Sequence, residues 1–90
     1  MYIHLGQDVL VKKEEIIGVF DLDNATVSKR TRDYLAKAEK DCRVINVSFE
    51  LPKSFIICEH KKGEQTVYIS QLSSSTLLKR SESGMENALI

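Results

Sequence analysis

Apolar and polar positions alternate over Tyr2, Ile3, His4 and Leu5, and the alternation resumes at Val9, Leu10 and Val11 after Gly6-Gln7. Glycine at the first central position of a two-residue turn favours a type II′ hairpin, so two short antiparallel strands are expected here. Residues 12–15 form a polar connection. Residues 16–22 (Ile-Ile-Gly-Val-Phe-Asp-Leu) are largely apolar on both faces of a strand, which predicts a central place in a sheet. Gly18 inside that strand leaves room for another backbone to approach.

Asp23-Asn24-Ala25-Thr26 signals a helix start, with Asn24 or Thr26 as the cap. Val27, Thr31, Tyr34, Leu35 and Ala38 then recur at the spacing of one helical stripe, and Lys29, Arg32 and Lys40 take the opposite face. A helix of about 15 residues is marginal alone in water, so this stripe must lie on a sheet. Strand periodicity returns over residues 44–49, with Ile45, Val47 and Phe49 on one face, and Pro52 marks a turn or sheet edge. Ser54 to Glu59 and Gln65 to Ser70 flank His60-Lys61-Lys62-Gly63-Glu64, a hairpin with glycine at its strained position. Ser73-Ser74-Ser75-Thr76 caps a short helix that ends in Lys79 and Arg80, where the helix dipole favours cations. The order β-β-β-α-β-β-β-α predicts an α+β fold: a mostly antiparallel sheet, one main helix and a short C-terminal helix. Residues 1–80 form the expected single domain, and residues 81–90 the expected flexible tail.

Composition adds limits. Ninety residues, 42% of them hydrophobic and 29% charged, suit one small globular domain rather than a disordered chain. The longest uninterrupted apolar run is four residues, against about 20 needed to cross a bilayer, so no membrane partner is expected. The opening residues lack the apolar stretch of a secretory signal. The expected location is therefore the cytoplasm, with Cys42 and Cys58 reduced. No CxxC pair occurs. A metal site would have to combine Cys58 and His60 with Cys42 or His4, and buried thiols with surface imidazoles are the expected alternative.

The chain carries 13 basic and 13 acidic residues, but unevenly. Residues 1–23 sum to −3, residues 24–43 to +3, and the remainder to zero. The basic block coincides with the main helix. It is either a solvated face or the place where phosphate is attracted. The Ser73–Thr76 cluster has two readings as well, capping or an anion site at a helix N-terminus. No P-loop, GxSxG, GxGxxG, HExxH or paired-aspartate signature occurs, so no enzyme, cofactor, metal or identifiable small-molecule ligand is expected.

Met1-Tyr2-Ile3-His4-Leu5-Gly6, Ile16-Ile17-Gly18-Val19-Phe20-Asp21, Pro52-Lys53-Ser54, Tyr68-Ile69-Ser70 and Leu72-Ser73-Ser74-Ser75-Thr76-Leu77 through Lys79-Arg80 follow one another in a telling order. Together they resemble the small bacterial extracellular matrix regulators of the Rem family, and within it the RemB type, over residues 1–80. The resemblance implies a cytoplasmic regulator supporting biofilm-matrix gene expression. Members of the RemA branch resemble ring-forming DNA-binding proteins whose subunit is similar to the LytTR DNA-binding domain. That branch carries an arginine just before the strand at residues 16–22, where this chain has Glu15. It also has an arginine cluster before residues 54–59, where this chain has Glu50-Leu51-Pro52-Lys53.

Two functions follow as expectations. In the first, a homo-oligomer touches DNA backbone phosphates through Arg30, Arg32, Lys53, Lys79 and Arg80 and so regulates matrix-gene transcription. In the second, an oligomer of the same fold has lost DNA binding and acts through a partner protein, as Glu15, Glu50 and the zero net charge suggest.

Overall fold

The computed structural model describes residues 2–25 and 28–82. Strands β1 (Tyr2–Gly6) and β2 (Val9–Lys12) form the expected antiparallel hairpin. Its turn falls one residue later than expected. Gly6 closes a pair with Val9 after a register shift, and positive φ occurs at Gly6 and Gln7. A single 3-10 turn, Lys13–Glu15, leads into β3 (Ile16–Asp21).

Four strands form the main sheet in the order β3-β5-β6-β4, with β4 at Val44–Asn46, β5 at Ser54–Glu59 and β6 at Gln65–Ser70. The β5–β6 hairpin has the expected limits, and Gly63 adopts φ +84° in its turn. Against expectation, β3 is an edge strand, bonded to β5 alone. Its apolar run arises because one face packs inward through Ile16 and Val19 while Ile17 and Phe20 remain exposed. Gly18 receives a ring rather than a backbone: a Cβ there would sit 2.6 Å from the Phe20 ring, which stacks on Phe55 at 5.0 Å.

The opposite edge also departs from expectation. Strand β4 ends at Asn46 and pairs in parallel with β6, the one parallel pair of this sheet. Ile45, Val47 and Phe49 do not share a face. Val47 turns into the core and its N–H donates to the Ile69 carbonyl at 2.9 Å, while Ile45 and Phe49 are exposed.

Alternation along β5 and β6 sends side chains to the two faces of the sheet in turn. Phe55 and Val67 pack with Ala38, Tyr34 and Leu35 of helix α2 (Lys29–Lys40) on one face. Ile56 and Cys58 pack on the other face with Ile3, Leu5 and Val11 of the β1–β2 hairpin and with Leu77 of helix α3 (Ser74–Glu82). The molecule is thus three-layered, helix on sheet on hairpin plus helix, and the α+β expectation holds.

Capping differs in one place. The short helix α1 (Leu22–Ala25) contains Asn24, so Asn24 is not its cap. Instead Asp21 Oδ1 accepts from the N–H groups of Asp23 at 2.8 Å and Asn24 at 3.3 Å. Thr26 and Val27 lie outside the described residues. Ser28 stands at the N-cap of α2 without a side-chain capping bond. At α3 the serine cluster caps as expected, with Ser73 Oγ accepting from the Thr76 N–H at 3.2 Å. That helix continues through Glu82, two residues into the expected tail, and residues 83–90 lie outside the described residues.

Candidate nucleic-acid interface

Two stretches of chain, α2 and the connection before β5, carry exposed cations. The stripe of Thr31, Tyr34, Leu35 and Ala38 holds α2 down and turns the other side chains outward. Lys29, Arg30, Arg32, Lys37 and Lys40 are all exposed, against Asp33 and Glu39 on the same helix. Of these, Lys29 faces Asp33 at 4.0 Å one turn on, a pair of little energetic weight because both groups are solvated. Arg30 borders a shallow depression with Phe20, Tyr34 and Phe55.

Lys53 is exposed in the connection before β5, and its backbone is fixed at both groups. Its N–H donates to the Ser70 carbonyl at 2.9 Å, and its carbonyl accepts from the Leu22 N–H at 3.0 Å. Those bonds tie Lys53 to the end of the sheet where β3 passes into α1 and on toward the first turn of α2. Arg30, beside Phe20 and Phe55, is near the strand ends that Lys53 bonds, whereas Arg32, two positions along α2, turns to a different side of the helix.

The other two candidates stand apart. Lys79 and Arg80 belong to α3, which packs on the opposite face of the sheet. Lys79 is exposed, but the Arg80 guanidinium is half-buried and its Nη1 donates to the His4 carbonyl at 2.8 Å. Arg80 thus pins α3 to β1. Arg43, also in the basic block, is similarly engaged. It lies 5.7 Å from the Tyr34 ring centroid, donates to the Gln65 carbonyl at 3.3 Å and faces Asp41 at 3.7 Å.

Glu15 makes a contact that sequence spacing could not reveal. Its Oε2 lies 3.2 Å from His60 Nδ1, and His60 Nε2 lies 3.0 Å from Thr66 Oγ1. The pair spans 45 positions and joins the 3-10 turn to the β5–β6 loop. Burial, and then the Glu15 carboxylate, push the Cys58 thiol up to about 11. Burial, then Cys58 and Glu15, also raise Tyr68 above its ordinary value. Cys58 is fully buried and free, so it behaves as a core residue. Cys42 is free but exposed, not buried as the sequence suggested, in a left-handed conformation (φ +59°) just after α2. Among the described residues no group of three or more His, Cys, Asp or Glu side chains is placed to hold a metal ion. No helix among them is long and apolar enough to cross a membrane.

Among the described residues the loop after β4 holds the two most exposed large apolar side chains, Phe49 and Leu51, on either side of exposed Glu50. Leu51 lies in the stretch where the resemblance predicts an arginine cluster, and Phe49 just before it. Periodicity placed Phe49 on a strand face and so hid it.

Residues 2–80 match the model of a RemA-like family, described as extracellular matrix regulatory protein A-like. The chain is 38% identical over 82 residues to extracellular matrix regulatory protein B of Bacillus subtilis (strain 168), an overlap covering 91% of each chain. On the family match and this identity, the chain belongs to the RemA-like family of extracellular matrix regulatory proteins.

Proposed function

We propose that this protein regulates extracellular matrix gene expression as a homo-oligomer that holds duplex DNA through backbone phosphates at Arg30, Arg32 and Lys53. The observation that supports this reading is the exposure of all three cations, from separate stretches of chain, with Lys53 bonded to Leu22 at the end of β3 and Arg30 beside Phe20 of that strand. The name of the Bacillus subtilis relative supports the regulatory part. A single copy has zero net charge, so attraction to DNA depends on repetition. Copies arranged with this end outward multiply a weak contact through effective concentration. Contacts are to phosphate rather than to base edges, because α2 packs by its apolar stripe and presents cations without a groove-reading motif. Lys79 on the far face, and Arg80 engaged with His4, stand outside this set.

Binding to long duplex DNA, followed by fluorescence anisotropy at 50 and 200 mM salt, tests the reading. Three neutralised phosphates per copy predict a loss of roughly 40-fold for one copy in contact between these conditions, multiplied by each further copy. The triple variant Arg30→Glu, Arg32→Glu, Lys53→Glu loses binding at both. An affinity indifferent to salt, or none at either concentration, refutes the DNA contact.

A second reading has its own support in the apolar loop of Phe49 and Leu51 and in the Glu15–His60 pair. Here the oligomer acts through a partner protein. Regulation in cells that survives charge reversal at Arg32 and Lys53 favours it.

A further inference from the structure

Phe20 presents an aromatic ring whose position is set by its neighbours. It stands on the edge strand β3, directly opposite Phe55 of β5 in the register. The two rings stack at 5.0 Å with 18° between their planes. Phe55 is buried while Phe20 stays 39% exposed, so Phe55 backs the ring and solvent reaches the rest of it. Gly18 fixes how the ring lies. A Cβ there would sit 2.6 Å from two of the Phe20 ring carbons, so a larger residue would push the ring away. The ring is thus oriented before anything binds, which lowers the ordering cost of a ligand laid on it.

Between this ring pair and α2 lies the depression that Arg30 borders, with a volume of about 160 Å³. Thr31, Tyr34 and Ile57 complete its lining, and no carboxylate joins them among the described residues. The Tyr34 hydroxyl donates to Gln65 Oε1 at 2.7 Å, so Tyr34 offers the depression its ring. Lys53, bonded to Leu22 just past the end of β3, adds a second exposed cation. Aromatic surface beside cations suits a planar ring carried on an anionic backbone. The volume is below the roughly 300 Å³ from which small-molecule pockets begin. It seats one flat ring that further contacts must hold, which favours a base within a strand over a free nucleotide.

We propose that Phe20 is a stacking platform for one unpaired base of a DNA strand, with Arg30 on the phosphate beside it. The proposal rests on the DNA reading above and deepens it. Where the duplex opens, a displaced base lies on this ring, while phosphate contacts supply the remaining hold. Stacking uses the face of a base rather than its edge, and every base has such a face, so the platform adds grip on opened DNA with little sequence preference.

Fluorescence anisotropy of the full chain with three probes of equal length tests this: a single strand of thymidines, the same strand made abasic, and a duplex. Wild type is expected to bind the thymidine strand roughly 5- to 150-fold more tightly than the abasic one, the worth of one stacked base. Phe20→Leu keeps an apolar side chain on Phe55 and should bind the two strands alike, whereas Phe20→Trp should keep the difference. Circular dichroism melting checks that each variant is folded. Arg30→Gln should weaken both strands and lower the salt slope by about 0.7, the share of one phosphate on a single strand. Equal binding of the two strands by wild type, or a difference that survives in Phe20→Leu, overturns the platform, and salt-dependent duplex binding then leaves the phosphate reading standing. Thymidine monophosphate that displaces the strand at the strand's own binding concentration also overturns it, in favour of a free-nucleotide site. A strand bound through Phe20 with no binding of the duplex upholds the platform and refutes the duplex contact. If no probe binds, both readings fall.

Discussion

The two faces of the main sheet are built differently. On the hairpin and α3 side, Ile3, Leu5, Val11, Val47, Ile56, Cys58 and Leu77 form a cluster of seven buried residues. Polar groups there act as fasteners: Ser70 Oγ donates to the Leu5 carbonyl at 2.7 Å, Ser54 Oγ to the Leu72 carbonyl at 2.8 Å, and Arg80 to the His4 carbonyl. On the α2 side, among the described residues, Ala38, Phe55 and Val67 are buried, and the helix's cations are exposed. The hairpin face is fastened by serine and arginine bonds to carbonyls, whereas the α2 face, fastened at Tyr34 and Arg43, also keeps exposed cations in solvent. A basic residue counted in the sequence therefore tells little about function until its face is known. Arg30 and Arg80 contribute equally to net charge and do unlike work.

The contrast can be broken most forcefully at the core. Leu5→Ala, on the hairpin side, is expected to cost about 2–5 kcal/mol in urea denaturation. Leu35→Ala, half-buried under α2, should cost less than half of that. Equal losses would erase the distinction between the faces.

Alkali offers a second lever on the hairpin side. The buried Cys58 thiol, pushed up to about 11, keeps its proton in the folded state while the unfolded chain ionises from the ordinary thiol value of 9.0. Stability is then fully present below pH 9 and falls between pH 9 and 11, by about 1.4 kcal/mol per pH unit at most. The raised Tyr68 acts in the same sense. Denaturation midpoints measured across that range check the slope, and Cys58→Val should flatten it.

Arg80→Gln, which weakens the hold on the His4 carbonyl, should cost about 1–3 kcal/mol. Arg30→Gln, exposed on α2, should stay within about 0.5 kcal/mol. A large loss from Arg30 and none from Arg80 would reverse the assignment of fastener and free cation. The smallest expected effect is on the fold itself: a thiol reagent at pH 8 should label exposed Cys42 quickly and without unfolding, while Cys58 reacts only as the chain opens. Labelling of both at one rate would contradict the burial of Cys58.

Local pattern revealed those elements whose reasons are local. The β5–β6 hairpin was legible with its limits because alternation, a polar loop and Gly63 coincide within 17 residues. The stripe of α2 and the Ser73 cap were legible for the same reason. Strand β3 was misplaced because apolar residues on both faces have two causes, enclosure by neighbouring strands or an edge that another surface can cover. Sequence alone does not separate them. The arrest of β4 at Asn46 depends on Val47 bonding to Ile69, 22 positions away. Among the candidate cations, helical periodicity identified Arg30 and Arg32 as outward-facing. It could not reveal that Lys53 is tied to Leu22 and Ser70, or that Arg80 is engaged with a carbonyl 76 positions distant.

The Ser70–Leu5 and Arg80–His4 links have a consequence for biosynthesis. Within this chain the ribosome makes β1 well before its partners, which follow 65 and 76 positions later. Until they emerge, the nascent β1–β2 ribbon has an uncovered oily side, and a lone hairpin is marginal in water. The strand translated first is thus completed last, so folding of this layer waits on translation of α3 and leaves a window in which chaperones can engage the growing chain.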